Sequence, residues 1–507
     1  MSSRTIVKNT IFLYIRQIIV LVLGLYTTRL TLKILGVSDF GIFAAIAGVT
    51  AMLKILTNTM ASGTTRYLTV ELGKGNLKQM NHVYITSIHI HLIVALLLVM
   101  LGETVGLWFL NNKMMIPEER MDVALWVFQI SLANIVLDII NVPNEAEITA
   151  HEDFGIIAVL SVSGAILKLL FVILLFFISW DKLLVYSFAL FIIQVFNRLV
   201  SVWYCKIHYT EVKYHYLYDK KLMTSMLKLS GWVGLSNMAV MGFIQGVNII
   251  LNIFFGPVLN AAYSVAIQAY SGIRIFSSHF QLASNPQIMK LYSTGEIKKM
   301  HQLLFSVCKM SFFLVFVLSL PFLIYAEFVL RLWLGTVPDH TTLFFTLLLI
   351  YAYIDIFAYP LDIAAQVTGR MKKYSIYVSI ISLISLPLAY LAYLFGAIPE
   401  MIYEIAIMMA CVGLIIRVAL LSKLISFKKA DFYHLIILRV AIVSALSLVI
   451  PLLFKYITTE SLTTVAVGFV ITYLLTSIII YNIGLDNKEK QLVQNFVERM
   501  PLFGKCK

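Results

Sequence analysis

Charge is what this chain of 507 residues has least of. Asp, Glu, Lys and Arg together make up 13% of it, hydrophobic residues make up 60%, and the mean hydropathy is +0.90. A soluble domain needs roughly twice that charged fraction to cover its surface. A soluble fold is therefore excluded and an all-α polytopic membrane protein is expected. Cysteine is scarce as well. Cys205, Cys308, Cys411 and Cys506 are scattered, with neither a disulfide framework nor metal-ligand spacing, so inert thiols and no metal site or cofactor are expected. Long polar segments are missing too: no connection between apolar runs much exceeds about twenty residues, too short for a soluble domain. A cleavable leader is not expected, because residues 1–9 are followed by an apolar run of full span length without a small-residue cleavage site.

What the chain does have is a succession of apolar runs. Hydropathy marks about fourteen spans, near 9–33, 40–62, 82–110, 122–148, 154–179, 182–205, 229–255, 258–283, 303–328, 342–365, 374–396, 401–424, 434–455 and 463–484. Lys and Arg are distributed unevenly between them. With a cytoplasmic N-terminus, 24 fall in cytoplasmic segments and 6 on the opposite side. That bias predicts both termini in the cytoplasm, and the net charge of +13 reports topology rather than a nucleic-acid partner.

Nine cations are left inside spans: Arg16, Arg29, Lys54, Lys168, Arg198, Arg274, Lys309, Arg417 and Arg439. Arg198, Lys309, Arg417 and Arg439 lie within about two turns of a cytoplasmic helix end, so snorkelling is expected of them. Arg274 is different. It sits in an otherwise membrane-compatible run with Ser271, Ser278 and Gln281 at helical spacing. A guanidinium at that depth costs several kcal/mol unless it faces water or a partner. A cation on a polar stripe suggests a hydrated cavity for something anionic. Arg16 and Lys54 lie at a similar depth, with snorkelling or pairing to Asp138 and Glu145 as the plain alternative. Arg29, on another face and nearer the far end, is a weaker cavity candidate that can also snorkel.

Self-similarity organises the chain. The hairpin Leu35–Asn76 has a counterpart around Gly256 and Arg274: Gly36 matches Gly256 and Lys54 matches Arg274 at an offset of 220. Each then ends in a glycine-containing polar turn, at 73–76 and 293–296. A second pair is sharper. Asp138, Pro143 and Glu145 match Asp355, Pro360 and Asp362 at an offset of 217. Asn134, Asp138, Asn141 and Glu145 stay on one helical face, as do Asp355, Tyr359, Asp362 and Gln366. Each proline frees a carbonyl and is expected to kink its helix.

Six spans separate the copies, so two parallel six-helix lobes are expected, related by a pseudo-twofold along the membrane normal with a site between them. The expected boundaries are an N-terminal lobe at 1–205, a cytoplasmic linker at 206–228, a C-terminal lobe at 229–424, two further spans within 425–484 and a cytoplasmic amphipathic tail at 485–507. The tail is expected to lie on the inner leaflet. The seventh span adds Gln245, Asn248 and Asn252 on one face, either a cavity wall or interhelical packing. Asp138, Glu145, Asp355 and Asp362 are candidate carriers of a coupling ion or structural partners of Lys and Arg.

The segments LGVSDFGIF, GTTRYLTVELGKGN, NVPNEAEITAHEDF, GVNIILNIFFGPVLNAAYSVAIQ and NPQIMKLYSTGE carry a resemblance. The chain resembles the multidrug/oligosaccharidyl-lipid/polysaccharide (MOP) exporter superfamily, and within it the polysaccharide-transporter branch of Wzx-type O-antigen flippases. The resemblance implies a V-shaped, MATE-like pair of lobes in a bacterial inner membrane. It also implies alternating-access movement of a polyprenyl-pyrophosphate-linked oligosaccharide (an O-antigen, capsule or exopolysaccharide unit) to the periplasmic leaflet; the acids named above leave open whether H+ or Na+ is coupled to it. Arg16, Lys54, Arg274 and Arg29 would hold the anionic headgroup, and Asn141, Gln245, Asn248, Ser271 and Ser278 would line the cavity. Membrane lipids and glycan polymerase or assembly proteins are the implied partners. Lysine rather than arginine at 54 departs from the pattern of related lipid II flippases, since a point charge makes no bidentate phosphate contact. The rival within the superfamily is a multidrug or cation exporter, which should carry an acid on the first span; Arg16 and Arg29 stand there instead. An enzyme of glycan assembly would need a catalytic constellation on a long loop, and no expected loop is long enough. A non-enzymatic transporter is therefore expected.

Overall fold

The structure is a computed structural model, and it describes residues 3–370, 372–487 and 489–491. Side chains at 3–15, 53–59, 62, 229–241, 279 and 283 lie outside the description, Lys54 among them. Among the described residues every regular element is helical. In chain order the helices are α1 (Ser3–Gly73), α2 (Leu77–Leu101), α3 (Leu107–Asn112), α4 (Met121–Ala150), α5 (Phe154–Leu174), α6 (Lys182–His208), α7 (Lys220–Phe255), α8 (Pro257–Ser293) and α9 (Ile297–Ile324). They continue as α10 (Ala326–Leu334), α11 (Thr341–Asp355), α12 (Ala358–Gln366), α13 (Lys372–Leu394), α14 (Met401–Leu424), α15 (Lys429–Phe432), α16 (Arg439–Ile457) and α17 (Leu462–Ile479).

Eleven helices among the described residues are long and apolar enough to cross a membrane. The expected fourteen differ from this count in two places. The first two expected spans lie in α1, on either side of the break at Gly36, and the seventh and eighth fall on α7 and α8, part of whose side chains lie outside the described residues. Among the described side chains of α7, Gly242–Phe255 forms an apolar stretch.

The internal repeat is visible in the backbone. Gly36 breaks α1 at φ 77°, ψ 170°, and Gly256 ends α7 at φ 78°, ψ −171°. This region of conformational space is open to glycine almost alone, so the two matched positions need the same residue for the same reason. The next matched pair repeats the pattern: Gly75 has φ 68° and Gly295 has φ 76°. Around each, the chain closes the preceding helix with the same pair of backbone bonds, Gly75 N–H to Leu72 and Asn76 N–H to Glu71, then Gly295 N–H to Tyr292 and Glu296 N–H to Leu291.

The chain divides into two compact units, one of residues 1–265 with 390–399 and the other of residues 266–389 with 400–507. In the first unit the stretch of α1 after Gly36 packs tightly on its neighbours. A Cβ at Gly41 would lie 1.8 Å from the carbonyl oxygen of Pro257, and one at Gly48 would lie 2.5 Å from Asn248 Nδ2. Arg120 closes one end of the unit, with Nη2 2.6 Å from Asp39 Oδ2 and Nη1 2.5 Å from Asp181 Oδ2.

The core of the second unit forms around α9, where Phe312, Phe313 and Phe316 are buried with Phe357 and Phe432. The Phe312 and Phe357 rings stack at 5.7 Å. Lys309 belongs to this core. Its side chain is 4% exposed and its Nζ lies 2.7 Å from Glu489 Oε2, itself 7% exposed. The expectation that Lys309 snorkels is therefore incorrect. Its partner is about 180 residues away, beyond α17 and the helical turn 480–484 that follows it, a pairing that helix-end position cannot reveal.

Two stability predictions follow from these contacts. Gly36→Ala and Gly256→Ala should each cost about 1–3 kcal/mol through backbone strain, read as a fall in thermal unfolding temperature, while Gly73→Ala, with open space around it, should be silent. Lys309→Ala should cost roughly 3–5 kcal/mol, because it strands a buried carboxylate. Lys309→Ala combined with Glu489→Ala should recover most of that loss, and a double variant as unstable as the single one would refute the pairing.

Candidate functional site

The polar stripe of α8 meets a break between two helices in the second unit. The expected tenth span is not one helix. α11 ends at Asp355 and α12 begins at Ala358. Pro360 supplies the reason, because without an N–H it cannot bond the carbonyl four residues back, which is Ile356. In an apolar bundle that carbonyl needs another donor. Gln281 provides it, with Nε2 2.9 Å from the Ile356 oxygen. One turn further along α8, Asn285 Nδ2 donates to the Tyr359 hydroxyl at 2.8 Å.

Two turns before Gln281 stands Arg274. Its side chain is 49% exposed, and Nη2 lies 3.9 Å from Asp355 Oδ2 at the end of α11. Tyr270 and Tyr351 are its other electrostatic neighbours. At 3.9 Å the pair is a loose one, which in a half-exposed setting contributes on the order of 0–1 kcal/mol. A guanidinium has five donors in a fixed fork, so a hydrogen bond with Tyr270 and one distant carboxylate still leave capacity for an oxyanion. Ser271 and Ser278 flank it on the stripe. Their hydroxyls donate to the carbonyls of Gln268 and Ile275 at 2.8 and 2.9 Å.

Asp362 takes another partner. Its Oδ1 accepts from the Tyr374 hydroxyl at 2.7 Å and from Arg417 Nε at 3.2 Å. Arg417 is thus turned inward, which corrects the expectation that it snorkels. An ion pair plus a phenol hydrogen bond holds α12 to α13 and α14, and that is a structural use of Asp362.

In the first unit Gln194 Nε2 donates to Asp138, the repeat mate of Asp355. Asp138, Asn134, Ser131, Thr50 and Ser187 line a cavity of about 180 Å³ between α1, α4 and α6. Glu145 is exposed, and its Oε1 accepts from Asn141 Nδ2 at 2.9 Å. Asn141 itself is buried, as is Asn248. For Asn248 the structure favours packing over a cavity wall: Nδ2 donates to the Ala44 carbonyl at 2.8 Å, and its oxygens accept from Asn260. Asn252 completes the ladder by donating to Asn260 at 2.8 Å and accepting from the Met115 amide at 3.0 Å. The three asparagines serve the backbone around the Gly256 turn. Gln245, Arg16 and Arg29 are half-buried, and Arg16 Nη2 reaches the neighbouring Gln17 at 3.5 Å. The side chain of Lys54 lies outside the described residues.

No family model and no curated protein matches the chain. Solved structures do match it. The lipid II flippase MurJ, in an inward closed conformation, is similar with a TM-score of 0.72 at 15% identity, over 96% of this chain and 100% of that one. The fold is one shared by MOP superfamily transporters. An inward-facing multidrug resistance MATE family transporter of that superfamily gives 0.69 at 14% identity, over 79% of this chain and 95% of its own. A MOP superfamily transporter from Pyrococcus furiosus, titled for the reverse polarity of its binding pocket, gives 0.52 at 13% identity, over 80% and 95%.

The break at Ile356 yields a double-variant test. Gln281→Leu should cost about 1–3 kcal/mol by orphaning a buried carbonyl. In a Pro360→Ala background the restored amide can bond Ile356, so the same change should cost markedly less. Equal costs in both backgrounds, measured by thermal unfolding, would disprove the link.

Proposed function

We propose that the protein is a flippase that carries a polyprenyl-pyrophosphate-linked oligosaccharide from the cytoplasmic to the periplasmic leaflet of a bacterial inner membrane by alternating access. The observation that carries this reading is Arg274, a half-exposed side chain within a polar stripe, beside one carboxylate at 3.9 Å and hydrogen-bonded with Tyr270. A pyrophosphate offers charge-assisted, bidentate acceptance to such a group and outcompetes a single distant Asp355. Arg16, Arg29 and Lys54 are the further cations assigned to the headgroup, with Gln245, Ser271 and Ser278 as polar lining. No covalent chemistry is required, and the protein is read as a transporter rather than an enzyme. Both termini are placed in the cytoplasm, and glycan polymerase or assembly proteins would take the product.

Displacing Asp355 from Arg274 couples headgroup binding to an acid. Headgroup binding would part Asp355 from the arginine, and headgroup release would allow the pair to re-form. H+ or Na+ at Asp138, in its small and largely apolar cavity, is the other coupling route in this reading, with Glu145 as a more exposed candidate. That same cavity is the one feature favouring the rival reading, a multidrug or cation exporter, since a carboxylate in a cavity suits a cation.

The deciding experiment measures surface glycan in a strain that depends on this protein, with membrane levels checked by blotting. Arg274→Ala and Arg274→Glu should abolish output at normal protein levels, with Arg274→Lys partly active. Normal output from Arg274→Ala would overturn the anionic-headgroup reading. Sensitivity to cationic drugs on deletion would then support export.

A further inference from the structure

Glu147 is the most anomalous side chain of the first unit. It lies in the last turn of α4, its side chain is 0% exposed, and neither carboxylate oxygen has a hydrogen-bond partner. Burying a carboxylate without compensation costs several kcal/mol. Two other side chains converge on it. His151, the C-cap of α4, is one helical turn further on, so it shares the face of Glu147. Its Nε2 stands 3.7 Å from Glu147 Oε1 and 2.7 Å from Glu211 Oε1. Glu211 comes from the segment joining α6 to α7 and is also buried. One donor atom from each residue lies within 4.8 Å of the other two. Among the described residues, no lysine or arginine pairs with either glutamate.

We propose that Glu147, His151 and Glu211 form a site for a divalent transition-metal ion, with Zn2+ the ion their donors suit best. Two carboxylates and a neutral imidazole around a divalent cation sum to zero charge, which removes a burial cost that His151, shared between two glutamates, offsets only in part. The mixed nitrogen and oxygen set favours zinc-like ions over Mg2+ and Ca2+, which prefer oxygen alone. Three protein ligands with one open position are a common zinc arrangement. Donors about 2.0–2.2 Å from such an ion stand roughly 3.5 Å apart. The present spacings reach that geometry with shifts of about 1 Å, drawing His151 off Glu211 and toward Glu147.

The surroundings hold these ligands in place independently of an ion. The His151 ring stacks on Tyr209 at 4.1 Å and 7°, and the Tyr209 hydroxyl donates to Asp153. Asn81, on α2, donates from Nδ2 to the backbone oxygens of Glu211 at 2.5 Å and Lys213 at 2.7 Å. Support of this kind orients metal ligands and sharpens affinity. A bound ion would clasp the start of the α6–α7 connection onto the end of α4. This inference does not depend on what the protein transports.

The test uses the full-length protein in nanodiscs, stripped with chelator and titrated with Zn2+ by calorimetry. One saturable site is expected. Glu147→Gln and His151→Gln should each weaken it at least about tenfold, while Glu152→Gln, on the exposed reversal beside the site, should not. Trypsin cleavage after Lys213 should slow with Zn2+ in the wild type but not in the two ligand variants. No saturable Zn2+ binding, or equal affinity in Glu147→Gln, overturns the proposal. Should Glu147→Gln fail to fold, His151→Asp carries the test. It supplies a charged oxygen donor where Gln offers only a neutral amide, so it should bind Zn2+ more tightly than His151→Gln, and equal weakness would also overturn the site.

Discussion

A carbonyl freed inside an apolar helical bundle must find a donor, and much of the second unit follows from one such carbonyl. Pro360 cannot bond Ile356, the helix divides into α11 and α12, and Gln281 crosses from α8 to fill the gap. That crossing docks the polar stripe of α8 on the broken helix. It fixes the register that sets Arg274 beside Asp355 rather than beside Asp362, which is held by Arg417 and Tyr374. An arginine with a loose partner thus exists because neighbouring groups are tightly committed. The same demand operates in the first unit, where Asn248, Asn252 and Asn260 serve the backbone around the Gly256 turn.

Comparison of the two copies of the repeat shows what has been kept and what has changed. The backbone is kept: Gly36 and Gly256 share one conformation, as do Gly75 and Gly295. Side-chain partners have diverged. Asp138 receives a hydrogen bond from the amide of Gln194, whereas its mate Asp355 faces a guanidinium. Glu145 receives one from Asn141, whereas its mate Asp362 is paired with Arg417. The first copy therefore surrounds its acids with amides and a small cavity, and the second sets them against arginines. One duplicated scaffold thus carries two electrostatic environments.

The helical class, eleven of the fourteen expected spans and the matched glycine turns were legible because they rest on local composition and on matched motifs, and backbone conformation follows such motifs closely. The α8 stripe was legible for the same reason, since helical spacing alone puts Arg274, Ser278 and Gln281 together. Partners across long sequence distances were not. Lys309 and Arg417 look like snorkelling cations because Glu489 and Asp362 lie far away in the chain. Asn248 and Asn252 announced a polar face, but whether that face meets a cavity or a neighbouring backbone depends on the close approach of Gly48. Glu147 and His151 stand at helical spacing in the sequence, yet the third member, Glu211, joins them only through the fold.

The central claim is that the cations of this fold select an anionic lipid headgroup. The most direct measurement reconstitutes the protein in vesicles and follows a fluorescent polyprenyl-pyrophosphate oligosaccharide crossing between leaflets, beside the same lipid with a neutral linkage. The account predicts protein-dependent crossing of the pyrophosphate form and little of the neutral one. Equal crossing of both, or of neither while a cationic dye is moved, would contradict it.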